Sequence, residues 1–253
     1  MILSETLAHQ GRHLFRWRSF WPLLYLLLGV LALPEAVRVY EALGEGGSAL
    51  IQLGGLTLAL LGLSLRWAVI GHVPAGTSGR NTKRQVADEL NVTGFYSVTR
   101  NPLYLGNLVA LVGVLLATGV WWLAAVVLLV QALCLERIVA VEERFLLDRF
   151  GARYRAYADR VPALLPRPSL WRPWALPFSA RNVLRREFYG VLAVVSAIAG
   201  WDLLVDVAWR GEPIGSWLAT DRWLFVTWLV AMALFAVLRL LKKRTRLLAV
   251  AGR

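Results

Sequence analysis

Six stretches of the chain are apolar over lengths that approach or reach a bilayer crossing, and polar, mostly arginine-rich segments separate them. They lie near Phe20–Leu33, Ala49–Ile70, Leu103–Thr118, Val120–Leu135, Phe188–Val207 and Trp223–Leu241. A crossing helix takes ~20 residues. The first, third and fourth stretches are short, so they draw on flanking residues or tilt little. Pro34 is expected to end the first span. Only Gly119 lies between the third and fourth, which predicts a tight antiparallel hairpin. The pattern therefore predicts an all-α, polytopic membrane helical bundle of about six transmembrane helices. It forms one membrane domain over residues 1–253, with helical segments emerging on one side.

Composition agrees. The chain is 58% hydrophobic with a net charge of +12, and its mean hydropathy is +0.56. Soluble domains sit near 45–50% apolar. On a soluble protein the charge would suggest nucleic acid. Here the basic residues fall between apolar spans, so no nucleic-acid partner is expected. Of the 28 lysines and arginines, 25 lie on one side of the six-span arrangement, and only Arg38, Arg210 and Arg222 lie on the other. The basic side is the cytoplasmic one by the positive-inside rule, which puts both termini in the cytoplasm. No small-residue cleavage site follows the first span, so it is expected to be retained. Tryptophans near the span ends, such as Trp121, Trp201 and Trp223, read as an interfacial belt. One cysteine, Cys134, and three scattered histidines, His9, His13 and His72, give neither a disulfide framework nor a zinc site. No metal is expected.

Two cytoplasmic stretches carry candidate chemistry. In Thr99-Arg100-Asn101-Pro102-Leu103-Tyr104-Leu105-Gly106, Pro102 suits the first turn of the third span and Asn101 its cap. Arg100 at a helix N-terminus favours an anionic ligand group. The plainer alternative is a snorkelling arginine that sets topology. In Glu136–Gly151, Glu142 and Glu143 stand side by side on a helical continuation of the fourth span, with Gly151 as its stop. They could contact a ribose hydroxyl or a cationic sulfonium. The alternative is a solvated charge pair offset by Arg144 and Arg149. The hairpin brings both stretches to one membrane face.

The order and spacing of these residues resemble the integral-membrane methyltransferases that include isoprenylcysteine carboxyl methyltransferase and the phospholipid methyltransferases. The resemblance rests on Gly94-Phe95-Tyr96, Arg100-Asn101-Pro102-Leu103-Tyr104-Leu105-Gly106 and Glu142-Glu143-Arg144-Phe145-Leu146. It continues through Phe150-Gly151-Ala152-Arg153-Tyr154-Arg155-Ala156-Tyr157, Val161-Pro162 and Leu165-Pro166. It covers residues 90–167, a methyltransferase-like core followed by two additional C-terminal transmembrane helices over residues 188–241. One departure is Asn101, where the family has histidine. Asparagine can hydrogen-bond but cannot titrate near neutrality.

The resemblance implies S-adenosylmethionine as methyl donor. It implies a cofactor site lined by Tyr96, Asn101, Pro102, Tyr104, Gly106, Glu142, Glu143 and Leu146. Arg100, Tyr104 and Glu142 would be the catalytic group. Arg80, Arg84 and Arg100 would meet an acceptor held in the bilayer, a membrane lipid or a lipidated molecule. O-methylation of an anionic lipid headgroup, such as a lipid A 1-phosphate, fits the basic loop at Arg80–Arg84 and bacterial relatives thought to act on lipid phosphates. The bacterial inner membrane is then the expected location. A prenylcysteine carboxylate and an amine headgroup stay open as acceptors. An NADPH-dependent sterol-type reductase resembles the same turn, but it would favour asparagine at Leu103 and an acid at Asn107. A non-catalytic protein of the same fold is the remaining alternative. Oligomeric state is open.

Overall fold

The computed structural model describes residues 23–74, 76, 77 and 87–252, together with Gly11 and Leu14. Residues 20–22 of the first expected span and the loop bearing Arg80, Lys83 and Arg84 lie outside the described residues.

The first element, α1, runs Leu24–His72 over 49 residues and breaks at Gly44, where φ is 68° and ψ is 179°. At 1.5 Å per residue an unbroken helix would reach ~73 Å, more than twice the hydrocarbon core. Gly44 is the residue that can take this left-handed turn without a Cβ penalty. The two arms double back. Val39 and Gln52, one on each arm, line the same small cavity beside Thr118 and Gly119. At the far end Tyr25 bonds to Gln131 and Arg66 to the Leu103 carbonyl. The first arm does not end at Pro34, as the sequence suggested: it continues helically to the Gly44 break. A proline inside a membrane helix is tolerated where neighbouring helices re-satisfy the backbone it frees. Here Ala32, Leu33 and Ala36 pack on Leu115, Val120 and Leu123.

A short helix α2 (Phe95–Val98) precedes α3 (Pro102–Ala117). Gly119, with φ 70°, turns the chain into α4 (Trp121–Phe150). Gly151 starts α5 (Ala152–Ala158), and an irregular stretch returns to α6 (Ala180–Glu187). Helix α7 (Gly190–Leu203) runs on as a π-helical turn, Leu204–Trp209. Helices α8 (Ile214–Thr220) and α9 (Arg222–Arg244) follow. Four helices have the length and apolarity to cross a membrane: α1, α4, α7 with its π turn, and α9; α3 is apolar but shorter. Counting the two arms of α1, the described residues make six apolar passages and no strand. The protein is an all-α, polytopic membrane bundle. Leu26, Leu27, Leu31, Leu50 and Leu129 are exposed, as lipid-facing side chains are.

Small residues set the central packing. A Cβ on Gly62 would come within 2.4 Å of the Ala110 nitrogen, and one on Gly113 within 2.3 Å of the Ala59 nitrogen. Gly55 and Gly62 on α1 thus mesh with Gly106 and Gly113 on α3, seven residues apart on each helix. Lipid offers Leu and Val as good a solvent as the protein does, so close backbone approach is what drives such contacts. Leu56, Ala59 and Leu63 also meet Val194, Val195, Ile198, Leu224 and Ala231, which seats the C-terminal pair on the same arm.

Candidate active site at the mouth of the helical hairpin

Helix α4 outlasts α3 at the end away from Gly119 and so projects Glu142 and Glu143 beside the start of α3. Tyr104 donates to a Glu142 carboxylate oxygen at 2.8 Å. Arg100 grips Glu143 through Nε at 2.8 Å and Nη2 at 2.7 Å. Its Nη1 donates to the carbonyls of Ala158 and Val161, both at 2.6 Å. Four of the five guanidinium N–H groups are thereby directed into the protein, and the side chain is 14% exposed. The two adjacent carboxylates therefore have different work. Glu143 locks α3 to α4 and to the segment after α5, while Glu142 accepts from the Tyr104 hydroxyl.

The segment after α5 wraps over the start of α3. The Arg100 amide donates to the Pro162 carbonyl and the Arg167 amide to the Val98 carbonyl, each at 2.9 Å. Buried Thr99 donates to the Leu164 carbonyl at 3.0 Å. Asn101 stands at the cap position of α3, but its side chain accepts no helix N–H. Its amide instead donates to the Ala163 carbonyl at 2.9 Å, which corrects the expected cap. The Pro102 ring carries no N–H for a cap to satisfy. A neutral imidazole could make the same donation, so asparagine keeps one bond that the family's histidine could make while losing its titration.

Tyr96 lies among Glu142, Arg186 and Arg66; burial, and then the Glu142 charge, push its phenol up to about 12. Its carbonyl accepts from Tyr157 at 2.7 Å. Burial also raises Tyr154 and Tyr157, with Glu143 adding to the effect at Tyr154. All three phenols are thus neutral at physiological pH. Leu146 packs with Tyr154, Tyr157 and Leu90. Pro102 is buried. Gly106 faces the other way, onto Gly62 and the Arg66 stem. The structure thus brings together Tyr96, Arg100, Tyr104, Glu142, Glu143 and Leu146, and turns Gly106 toward helix packing. A cavity of about 340 Å³ opens alongside, lined in part by Ser97, Tyr157, Arg160, Trp171 and Arg172.

Behind Tyr96 sits a polar group that reading the two cytoplasmic stretches missed. Arg66 makes a bidentate pair with Glu187 at 2.9 and 2.7 Å, and its Nη1 donates to Asn107 at 2.9 Å. Arg186 joins them, with its pKa lowered by burial against a raising contribution from Glu187. The available signal was Arg66 itself, a charge inside an apolar run, which in a membrane helix demands a partner.

Known proteins resemble the part of the chain that carries these residues. A family model described as phospholipid methyltransferase matches residues 50–153. The match takes in the second arm of α1, with Arg66, as well as the hairpin. The cobalt-zinc-cadmium resistance protein CzcN of Cupriavidus metallidurans is 34% identical over 158 residues, which cover 60% of this chain and 68% of that protein. The chain belongs to the phospholipid methyltransferase family. A further relative is the nickel-cobalt-cadmium resistance protein NccN of Alcaligenes xylosoxydans xylosoxydans, 37% identical over 56% of this chain and 67% of that protein. The protein-S-isoprenylcysteine O-methyltransferase B of Arabidopsis thaliana is 36% identical over 44% of this chain and 57% of that protein. No solved structure matches the chain.

Proposed function

We propose that the protein transfers a methyl group from S-adenosylmethionine to an oxygen of an anionic lipid headgroup, most readily a phosphate, at the cytoplasmic face of a bacterial inner membrane. The observation that carries the reading is the division of labour between Glu142 and Glu143. Arg100 engages Glu143, whereas Glu142 accepts from the Tyr104 hydroxyl and lies near Tyr96. A carboxylate so placed suits the cationic sulfonium or a ribose hydroxyl of the cofactor. Tyr96, Asn101, Pro102 and Leu146 would complete the cofactor site that the family resemblance implies, and Arg160 and Arg172, which line the neighbouring cavity, suit the cofactor carboxylate. Arg100 acts as a positioning residue, since its bonds fix the helices that carry Tyr104 and Glu142.

The chemistry asks little of acids and bases. The S–CH3 bond breaks as the O–CH3 bond forms, the sulfonium becomes a neutral thioether, and the acceptor oxygen gives up its negative charge. Alignment and a dry site contribute most to such a displacement. An anionic phosphate oxygen needs no general base, which agrees with asparagine at position 101. Arg186 beside Tyr96, and Arg80, Lys83 and Arg84 in the basic loop of the sequence, supply cationic character for such a headgroup. Methylation would lower the charge of a membrane surface that attracts divalent cations. That consequence suits relatives named for metal resistance.

The test has two arms. Calorimetry with the detergent-purified protein should show S-adenosylmethionine binding that Glu142→Gln weakens by about 1.5–3 kcal/mol, the worth of a charge-assisted hydrogen bond. Mass spectrometry of lipids and prenylated peptides from cells with and without the protein identifies the acceptor. Methylation of a prenylcysteine carboxylate, the reaction named in the plant relative, or of an amine headgroup would replace the phosphate assignment.

A further inference from the structure

We propose that Asp202, Asp206 and Asp221, together with the amide oxygen of Gln52, form a binding site for a hard divalent cation at the end of the bundle opposite Arg100. One oxygen from each of the three carboxylates can be chosen so that all lie within 4.8 Å of one another. Ligands at ~2.3–2.6 Å from a common ion reach that separation. Asp202 and Asp206 are each 5% exposed, and Asp221 is half-buried. Asp202 comes from the end of α7 and Asp206 from the π turn that follows it. Asp221 precedes the first residue of α9, and Gln52 comes from the second arm of α1. A π turn shifts the register of the side chains it carries, and such turns gather at functional sites.

Charge balance points the same way. Among the described residues, Arg210 is the cation bonded to the cluster: it meets Asp206 at 2.8 Å and is shared with Glu212 at 3.4 Å. Asp202 is met by neutral donors, the Trp217 indole at 2.9 Å and the Gln52 amide. Glu45 adds a further negative charge near Asp221. Carboxylates this close and this buried need a positive partner to stay ionised together.

Gln52 supplies an independent observation. It is 6% exposed; its nitrogen donates to Asp202, while its oxygen Oε1 is buried with no hydrogen-bond partner. Both side chains also line a cavity of about 30 Å³ with Ala117, Thr118 and Gly119, which Asp206 and Asp221 do not line, so that Gln52 and Asp202 stand between this small space and the other two carboxylates. A buried carbonyl oxygen without a donor beside converging carboxylates is what a cation uses as a ligand. Every donor is oxygen, which selects magnesium, calcium or manganese over metals that prefer thiolate or imidazole. The ion would tie α1, α7 and α9 together, the elements that seat the C-terminal pair on the methyltransferase core.

Manganese is the probe. The full chain, purified in detergent and stripped with a chelator, is titrated with Mn2+ while electron paramagnetic resonance counts the free ion. One Mn2+ per chain should bind, and Mg2+ or Ca2+ should displace it. Asp221→Asn, at the accessible edge, should weaken binding by roughly tenfold or more, in line with losses seen when metal-site partners are removed. Gln52→Leu should weaken it to a smaller but measurable degree. Absence of Mn2+ binding overturns the proposal, as does binding that both variants leave unchanged. If Asp221→Asn fails to give a monodisperse protein, Gln52→Leu decides alone, and an unaltered affinity there overturns it.

Discussion

Arg66 and Glu187 face each other through two parallel hydrogen bonds, at 2.9 and 2.7 Å, although 121 residues of sequence separate them. Their side chains are 7% and 3% exposed. The pair clamps the second arm of α1, inside the family core, to α6, which leads into the C-terminal helices. Removing one member of such a pair strands a buried charge. Glu187→Ala should therefore destabilise the protein by about 3–5 kcal/mol, read as a lowered thermal midpoint in detergent. The double variant Arg66→Met, Glu187→Leu should recover part of that loss, because it removes the stranded Arg66 charge while Arg186 still loses its acidic neighbour.

The glycine seam makes a second, sharper prediction. Gly113→Ala would place its Cβ 2.3 Å from the Ala59 nitrogen and 2.5 Å from the Gly55 carbonyl oxygen. Backbone atoms cannot step aside, so overpacking should cost about 1–3 kcal/mol. Gly54→Ala is the control on the same arm. Its Cβ would meet nothing within 4 Å, and it should leave the thermal midpoint unchanged or slightly raised.

Alkaline pH reports on Tyr96. Its phenol titrates at about 12 in the folded protein against 10.0 for an ordinary tyrosine. The folded state thus holds the proton more tightly than the unfolded state does. This contribution to stability is fully present below pH 10 and is lost as pH rises through about 12. Tyr96→Phe should make unfolding less sensitive to pH across that window, measured by denaturant titrations at several alkaline pH values. An unaltered pH slope would mean that Tyr96 is solvated.

Much of this fold was legible in the sequence because lipid simplifies the code. Apolar runs and Gly119 between two of them gave the hairpin and the helical class directly. The end of the first arm was not legible, since Pro34 breaks helices in water but not in this packed bundle. At the site, Arg100, Tyr104, Glu142 and Glu143 were legible as neighbours through their placement on the two sides of the hairpin. Their pairing was not: nothing in two adjacent glutamates says which one Arg100 takes. The Arg66–Glu187 clamp and the Asp202–Asp206–Asp221 cluster depend on contacts between distant segments, and reading the chain stretch by stretch passes over them.

Topology follows from the same basic bias. Reporter fusions after Gly46 and after Gly211 should read as outside the cytoplasm, and fusions after Thr77 and after Gly252 as inside. Opposite readings at any two of these points would contradict the proposed cytoplasmic placement of Glu142.

The most direct test of the central claim is methyl transfer itself. Membranes containing the protein are incubated with methyl-labelled S-adenosylmethionine, and the lipid extract is resolved by mass spectrometry. The account predicts one labelled lipid species, heavier by a single methyl substitution on its phosphate, and loss of most of that label with Glu142→Gln in protein that still folds. Label absent from every lipid and every prenylated peptide, or label that Glu142→Gln leaves untouched, would contradict it.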